Sequence, residues 1–212
     1  MERRRATPLA IDHAGAPLRQ RGSSLIELLA SMLFVSTLMA MSYTFARAAL
    51  MSVRVQEVKS EAQAATVMAL DVMTRELRQA GFSATGRPLA AIPAAGPFQV
   101  TVAADFNADG DSDDANELIA YSYDAAKQQL MRATGGSPQP FVRNVPPGGA
   151  RFTFFDAAGN PLQTNTDALT SDECRRIHRI DIALDVELAN PDPQSHTVLV
   201  SRMSTSVSMR NQ

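Results

Sequence analysis

The residues best equipped for chemistry lie in "DFNADGDSDDANE", from Asp105 to Glu117. Asp105, Asn107 and Asp109, followed by Gly110, match the opening of D-x-[DN]-x-[DN]-G-x5-E. Oxygen donors at alternate positions of a tight turn can converge on one Ca2+, which takes about six to eight hard oxygen ligands. In that reading Asp111 offers its backbone carbonyl and Asp113 a direct or water-bridged contact. The twelfth place is Asn116 and the acid falls one later, at Glu117. The shell then closes through a loop one residue longer, or through Asp114 or Asn116. The flanking segments read as strands, which excludes a true EF-hand. The competing reading is a metal-free turn rich in Asx and Gly. Five aspartates crowd into ten residues, however, and without a cation they repel one another. Ca2+ is therefore the expected cofactor.

A second carboxylate stands where an ionised group is costly. Glu27 lies just inside an apolar run, and Leu28 to Ala46 contains no charged residue. As a helix that stretch spans about 28 Å, close to the hydrocarbon thickness of a bilayer. A secretory signal has a shorter apolar region, about 7–15 residues, ending at a small-residue cleavage site. Here the run leads without Pro or Gly into Arg47 and more helix, so a membrane-spanning segment is expected.

Other reactive residues are sparse. Cys174 is the one cysteine, which excludes an intramolecular disulfide and a cysteine metal cluster. It stands beside Arg175 and Arg176, but no base or second thiol accompanies it, so a half-buried small residue is the simpler reading. His178 and His196 fall on expected strands, as surface or pleat residues. No G-x-S-x-G, H-E-x-x-H, P-loop or dinucleotide fingerprint occurs, and the chain does not read as an enzyme.

The elements that position these groups follow from periodicity. The chain has 212 residues, 45% apolar and 20% charged, enough for one globular domain with an appendage. A net charge of −2 argues against a nucleic-acid surface. Residues 1–22 carry five arginines against Glu2 and Asp12, a basic leader that predicts a cytoplasmic N-terminus. From Met51 an apolar stripe runs through Val55, Val58, Ala62, Ala65, Ala69 and Val72, joined later by Val67, Leu70 and Leu77. No Pro or Gly interrupts Ser23 to Ala80. One helix of about 58 residues is expected, capped by Gly81.

Beyond Gly81 the period becomes two. "FQVTVAA", "ELIAYSYD", "QQLMRAT" and "ARFTFFDAAGNPL" read as strands, with a hairpin at Ala125 to Lys127. In "RIDIALDVEL" the residues Ile180, Ile182, Leu184, Val186 and Leu188 face one way, as in a half-buried antiparallel strand. "HTVLVSRMSTSVSMRN" is a last long strand after a turn at Asn190 to Pro193. The fold class is α+β, with a long N-terminal helix, transmembrane in its first half, laid across an antiparallel sheet by the stripe from Ala62 to Leu77.

"RGSSLIELL" resembles the prepilin signal of type IV pilins and type II secretion pseudopilins: a basic leader, a glycine, and Glu at the fifth place after it. "MTRELRQAGFSA" and the closing "SVSMRN" resemble segments of PilW-type minor pilins, with J-type pseudopilins as the second candidate. The resemblance covers the two ends and the helix–head junction. It implies cleavage between Gly22 and Ser23 by a prepilin peptidase and N-methylation of Ser23, although the family usually begins its mature chain with Phe or Met. It divides the chain into a cleaved leader (1–22), a membrane and filament-core helix (23–46), an amphipathic continuation (47–81) and a β-rich head (82–212).

Cleavage would create an α-amino cation at Ser23. Inside a helix bundle Glu27 can pair with that amine on a neighbouring subunit. Register is then set by avoiding two unpaired ions, each costing several kcal/mol. The implied function is a minor pilin that primes pilus assembly or sits at the tip, with twitching motility and cell adhesion as the associated processes. A secretion pseudopilin and a tip ligand-binding subunit are the alternatives. The implied partners are other minor and major pilins, the prepilin peptidase, a tip adhesin and the inner membrane before assembly, with the head later in the periplasm or outside the cell.

Overall fold

The computed structural model describes residues 24–162, 168–193, 195 and 197–210. The long helix α1 spans Leu25–Gln79, 55 residues. It crosses from one compact unit, which ends at Ala48, into a second that begins at Ala49.

In the first unit every described residue is exposed. Leu25, Leu33, Phe34, Met39 and Phe45 each leave more than two thirds of their surface uncovered. This is one helix long and apolar enough to cross a membrane. Four of its hydroxyls turn inward on the backbone. Ser31 donates to Glu27 O at 2.8 Å, Ser36 and Thr37 to Leu33 O, and Thr44 to Met41 O. A hydroxyl satisfied within its own helix needs no water, which suits an apolar surrounding.

In the second unit α1 gains a buried stripe: Ala62, Thr66, Ala69, Leu70, Met73 and Leu77. The expected stripe continued through Ala65 and Val72. Instead Ala65 is exposed and Thr66 is buried, with Val72 half-buried beside fully buried Met73. Thr66 tolerates burial because its Oγ1 donates to Ala62 O at 2.8 Å. Gly81 follows the helix with φ +74°, a left-handed conformation in which glycine has no Cβ penalty. Its N–H bonds Ala103 O at 2.8 Å, tying the helix exit to the sheet.

The alternating pattern predicts one antiparallel sheet; the head has two, both antiparallel. The first contains β1 (Ala94–Gly96), β2 (Gln99–Ala103), β3 (Leu118–Asp124), β4 (Gln129–Thr134) and β5 (Gln139–Arg143), in that order. The second contains β6 (Ala150–Phe155), β7 (Arg179–Leu188) and β8 (Leu199–Ser208). A single turn of helix, α2 (Ser171–Cys174), precedes β7. The β3–β4 hairpin turns where expected, pairing Asp124 with Gln129. On β7 Ile180, Ile182, Leu184 and Val186 are buried and the intervening acids are not.

Both sheets and α1 feed one core. Met73 and Leu77 join Val100, Tyr121 and Leu130 of the first sheet and Phe152, Phe154, Ile182 and Leu184 of the second. Glu76 adds a polar tie. Its carboxylate takes two hydrogen bonds from Arg132, at 2.6 and 3.1 Å, and one from the Tyr121 hydroxyl. Burial, then the Glu76 acceptor, pushes the Tyr121 phenol well up from its usual range.

Candidate functional site

The acidic loop connects β2 to β3, so the pairing of those strands fixes its two ends. Its base is also stitched to the chain leaving α1. Asp105 N–H bonds Phe82 O at 2.8 Å, Ala84 N–H bonds Asp105 O, and the Phe82 and Phe106 rings stack 5.7 Å apart.

Within the loop Asp105, Asn107, Asp109 and Asp111 each capture a backbone N–H two or three residues on. Asp105 Oδ1 accepts from Ala108 N–H at 2.8 Å and its Oδ2 from the Thr85 hydroxyl at 3.2 Å. Asn107, Asp109 and Asp111 accept in turn from the N–H groups of Asp109, Asp111 and Asp113. The Asn107 amide donates to Asp109 and to Asp114. The Asp111 N–H, followed by the Asn107 amide, holds the Asp109 carboxyl below its ordinary value. Gly110 has φ +93°, and a Cβ there would meet Arg87 Nη1 at 2.8 Å, so the loop closes tightly against that arginine.

Glu117 is buried like Asp105 but differs from it in its partners. Only 4% of it is exposed. Asn116, at φ +72°, turns the chain just before it. Its Oε1 accepts from the N–H groups of Phe106 and Asn107 at 2.8 and 3.1 Å. Its Oε2 is buried with no hydrogen-bond partner among the described residues. Carboxylate oxygens of Asp109, Asp111 and Glu117 all lie within 4.8 Å of one another.

Of the seven residues singled out in this loop, the fold thus brings three carboxylates together. Asp105 is buried and engaged in holding the loop to the helix exit. Asn107 bridges the loop through its amide, and Asp113 and Asn116 are exposed.

Glu27 is exposed in the first turn of α1. Its carboxylate has no hydrogen bond or ion pair among the described residues. Gly22 and Ser23 lie outside the described residues, as does His196. His178 is exposed just before β7, and its backbone bonds the ends of β6 and β8 through Phe155 O and Met209 N–H. Cys174 is buried, which raises its thiol, while Arg175 pairs with Asp172 and Arg176 with Asp156. The neighbouring arginines therefore serve surface pairs.

Two features escaped the sequence reading. The Glu76–Tyr121–Arg132 cluster joins residues far apart in sequence and leaves no local signal. The α2 capping box did leave one, in Thr170-x-x-Glu173, where Thr170 N–H bonds Glu173 Oε2 at 2.8 Å. No family model, curated protein or solved structure matches this chain.

Proposed function

We infer that the chain is a pilin-like structural subunit, a minor pilin held in the inner membrane by α1 until it enters a filament. The observation that carries the reading is the division of one continuous helix. Residues 25–50 expose fourteen large apolar side chains, while the stripe from Ala62 to Leu77 builds the core of a β-rich head. Such a helix joins an apolar environment at one end and a folded head at the other. The long apolar helix on antiparallel sheets is compatible in shape with a pilin-like fold. The prepilin-like signal through Gly22 and Glu27 supplies the finer assignment, including cleavage before Ser23.

Glu27 is the residue this reading assigns to assembly. Its carboxylate pairs with the Ser23 amine of a neighbouring subunit, and mismatched registers leave ions unpaired. Glu27→Leu should still insert in the membrane, because a charge has been removed from the apolar segment. It should be missing from sheared filaments. Blots of membrane and filament fractions decide the matter, and a mutant that enters filaments like the wild type removes Glu27 from any register role.

A further inference from the structure

We propose that Asp109, Asp111 and Glu117 form a divalent-cation site, selective for Ca2+, that braces the exit of α1 against the head. This inference is independent of the pilin reading, since it rests on residues of the head alone.

Glu117 carries the argument. A carboxylate oxygen withdrawn from water without a partner is costly, and native structures rarely leave one. Its sister oxygen is already fixed by Phe106 and Asn107 N–H groups, so the side chain cannot swing out to water without breaking both bonds. The unpartnered Oε2 belongs to a carboxylate held beside those of Asp109 and Asp111. Three carboxylates so close repel one another unless a cation lies among them. Arg87 lies against Gly110 and forms no ion pair with the three among the described residues.

An all-oxygen carboxylate set fits Ca2+ better than Mg2+, which demands a small octahedral shell and gives up its waters reluctantly. Water and loop carbonyls would complete the shell. The site's position gives it a consequence. Asp105 and Phe106, at the loop's base, bond and stack on Phe82, Ala84 and Thr85 just past α1. A cation that fixes the loop also fixes this junction.

The test uses the full chain in detergent, stripped of metal and titrated calorimetrically with CaCl2 and separately with MgCl2. The wild type should bind calcium saturably with Kd at or below about 10⁻³ M, and magnesium more weakly. Calcium should raise its melting temperature and slow hydrogen exchange at residues 82–85. Glu117→Gln keeps the Oε1 acceptor and removes the charge. It should melt in chelator at or above the wild-type temperature, yet bind calcium at least about tenfold more weakly, because ligand charge sets affinity. Asp109→Asn and Asp111→Asn, both exposed, should weaken binding likewise, and Asp172→Asn, outside the loop, should bind as the wild type does. If Glu117→Gln fails to fold, the two exposed variants decide. Wild-type protein with no saturable calcium binding overturns the proposal. So do loop variants that bind like the wild type, or an Asp172→Asn that loses binding equally.

Discussion

Leu33 and Leu77 belong to one helix, yet Leu33 is 71% exposed and Leu77 is 0% exposed. Residue type and backbone conformation are the same at both. What differs is what the chain offers as a covering. Around Leu77 it offers Val100, Tyr121 and Phe152; around Leu33 it offers nothing among the described residues. Burying a leucine is worth about 1.5–3 kcal/mol. At Leu77 that gain stabilises the head, whereas at Leu33 none of the described residues supplies it. A helix divided in this way builds a core at one end and is long and apolar enough to cross a membrane at the other.

The same substitution made at both leucines tests the division. Leu77→Ala should destabilise the head by about 2–5 kcal/mol, through lost transfer energy and the cavity left behind. Leu33→Ala should leave head stability within about 0.5 kcal/mol of wild type. Urea unfolding of the full chain in detergent, followed by head-specific hydrogen exchange, measures both. Equal effects would break the contrast.

A smaller effect sharpens the picture within the second half of α1. Glu76→Ala strands Arg132, only 28% exposed at its side chain, and the buried Tyr121 hydroxyl. A loss of about 2–3 kcal/mol is expected, with Glu76→Gln losing less because it keeps an acceptor. Asp71→Ala removes the i,i+4 partner of Arg75, a pair 74% and 52% exposed. That loss should be about 0.5 kcal/mol or less. If the two alanine variants unfold alike, the Glu76 cluster is no more than a surface pair.

How much of this was legible depends on how local each cause is. The apolar run and the alternation of Ile180 to Val186 are local patterns, and the elements they foretold are present. On α1 the expected Ala62, Ala69, Leu70 and Leu77 are buried, but Thr66 takes the place of Ala65, because threonine reads as polar until its hydroxyl is seen bonding Ala62 O. The strand β5 (Gln139–Arg143) has no expected counterpart; it carries Pro140 at an edge position, where proline is tolerated. In the acidic loop the sequence supplied the donors but not their roles. Asp105 and Glu117 read alike as acids. Only the fold reveals that one spends both oxygens on the loop and the helix exit, while the other keeps one oxygen without a partner.

The proposed pilin role requires that the apolar half of α1 stay with the head as an anchor, after removal of a leader that ends at Gly22. Intact-mass analysis of the protein extracted from membranes tests it most directly. The account predicts a chain that begins at Ser23, heavier by one methyl group where the N-terminus is modified, and that requires detergent for extraction. A chain that retains Met1, or a soluble head cut free beyond Ala46, would contradict it.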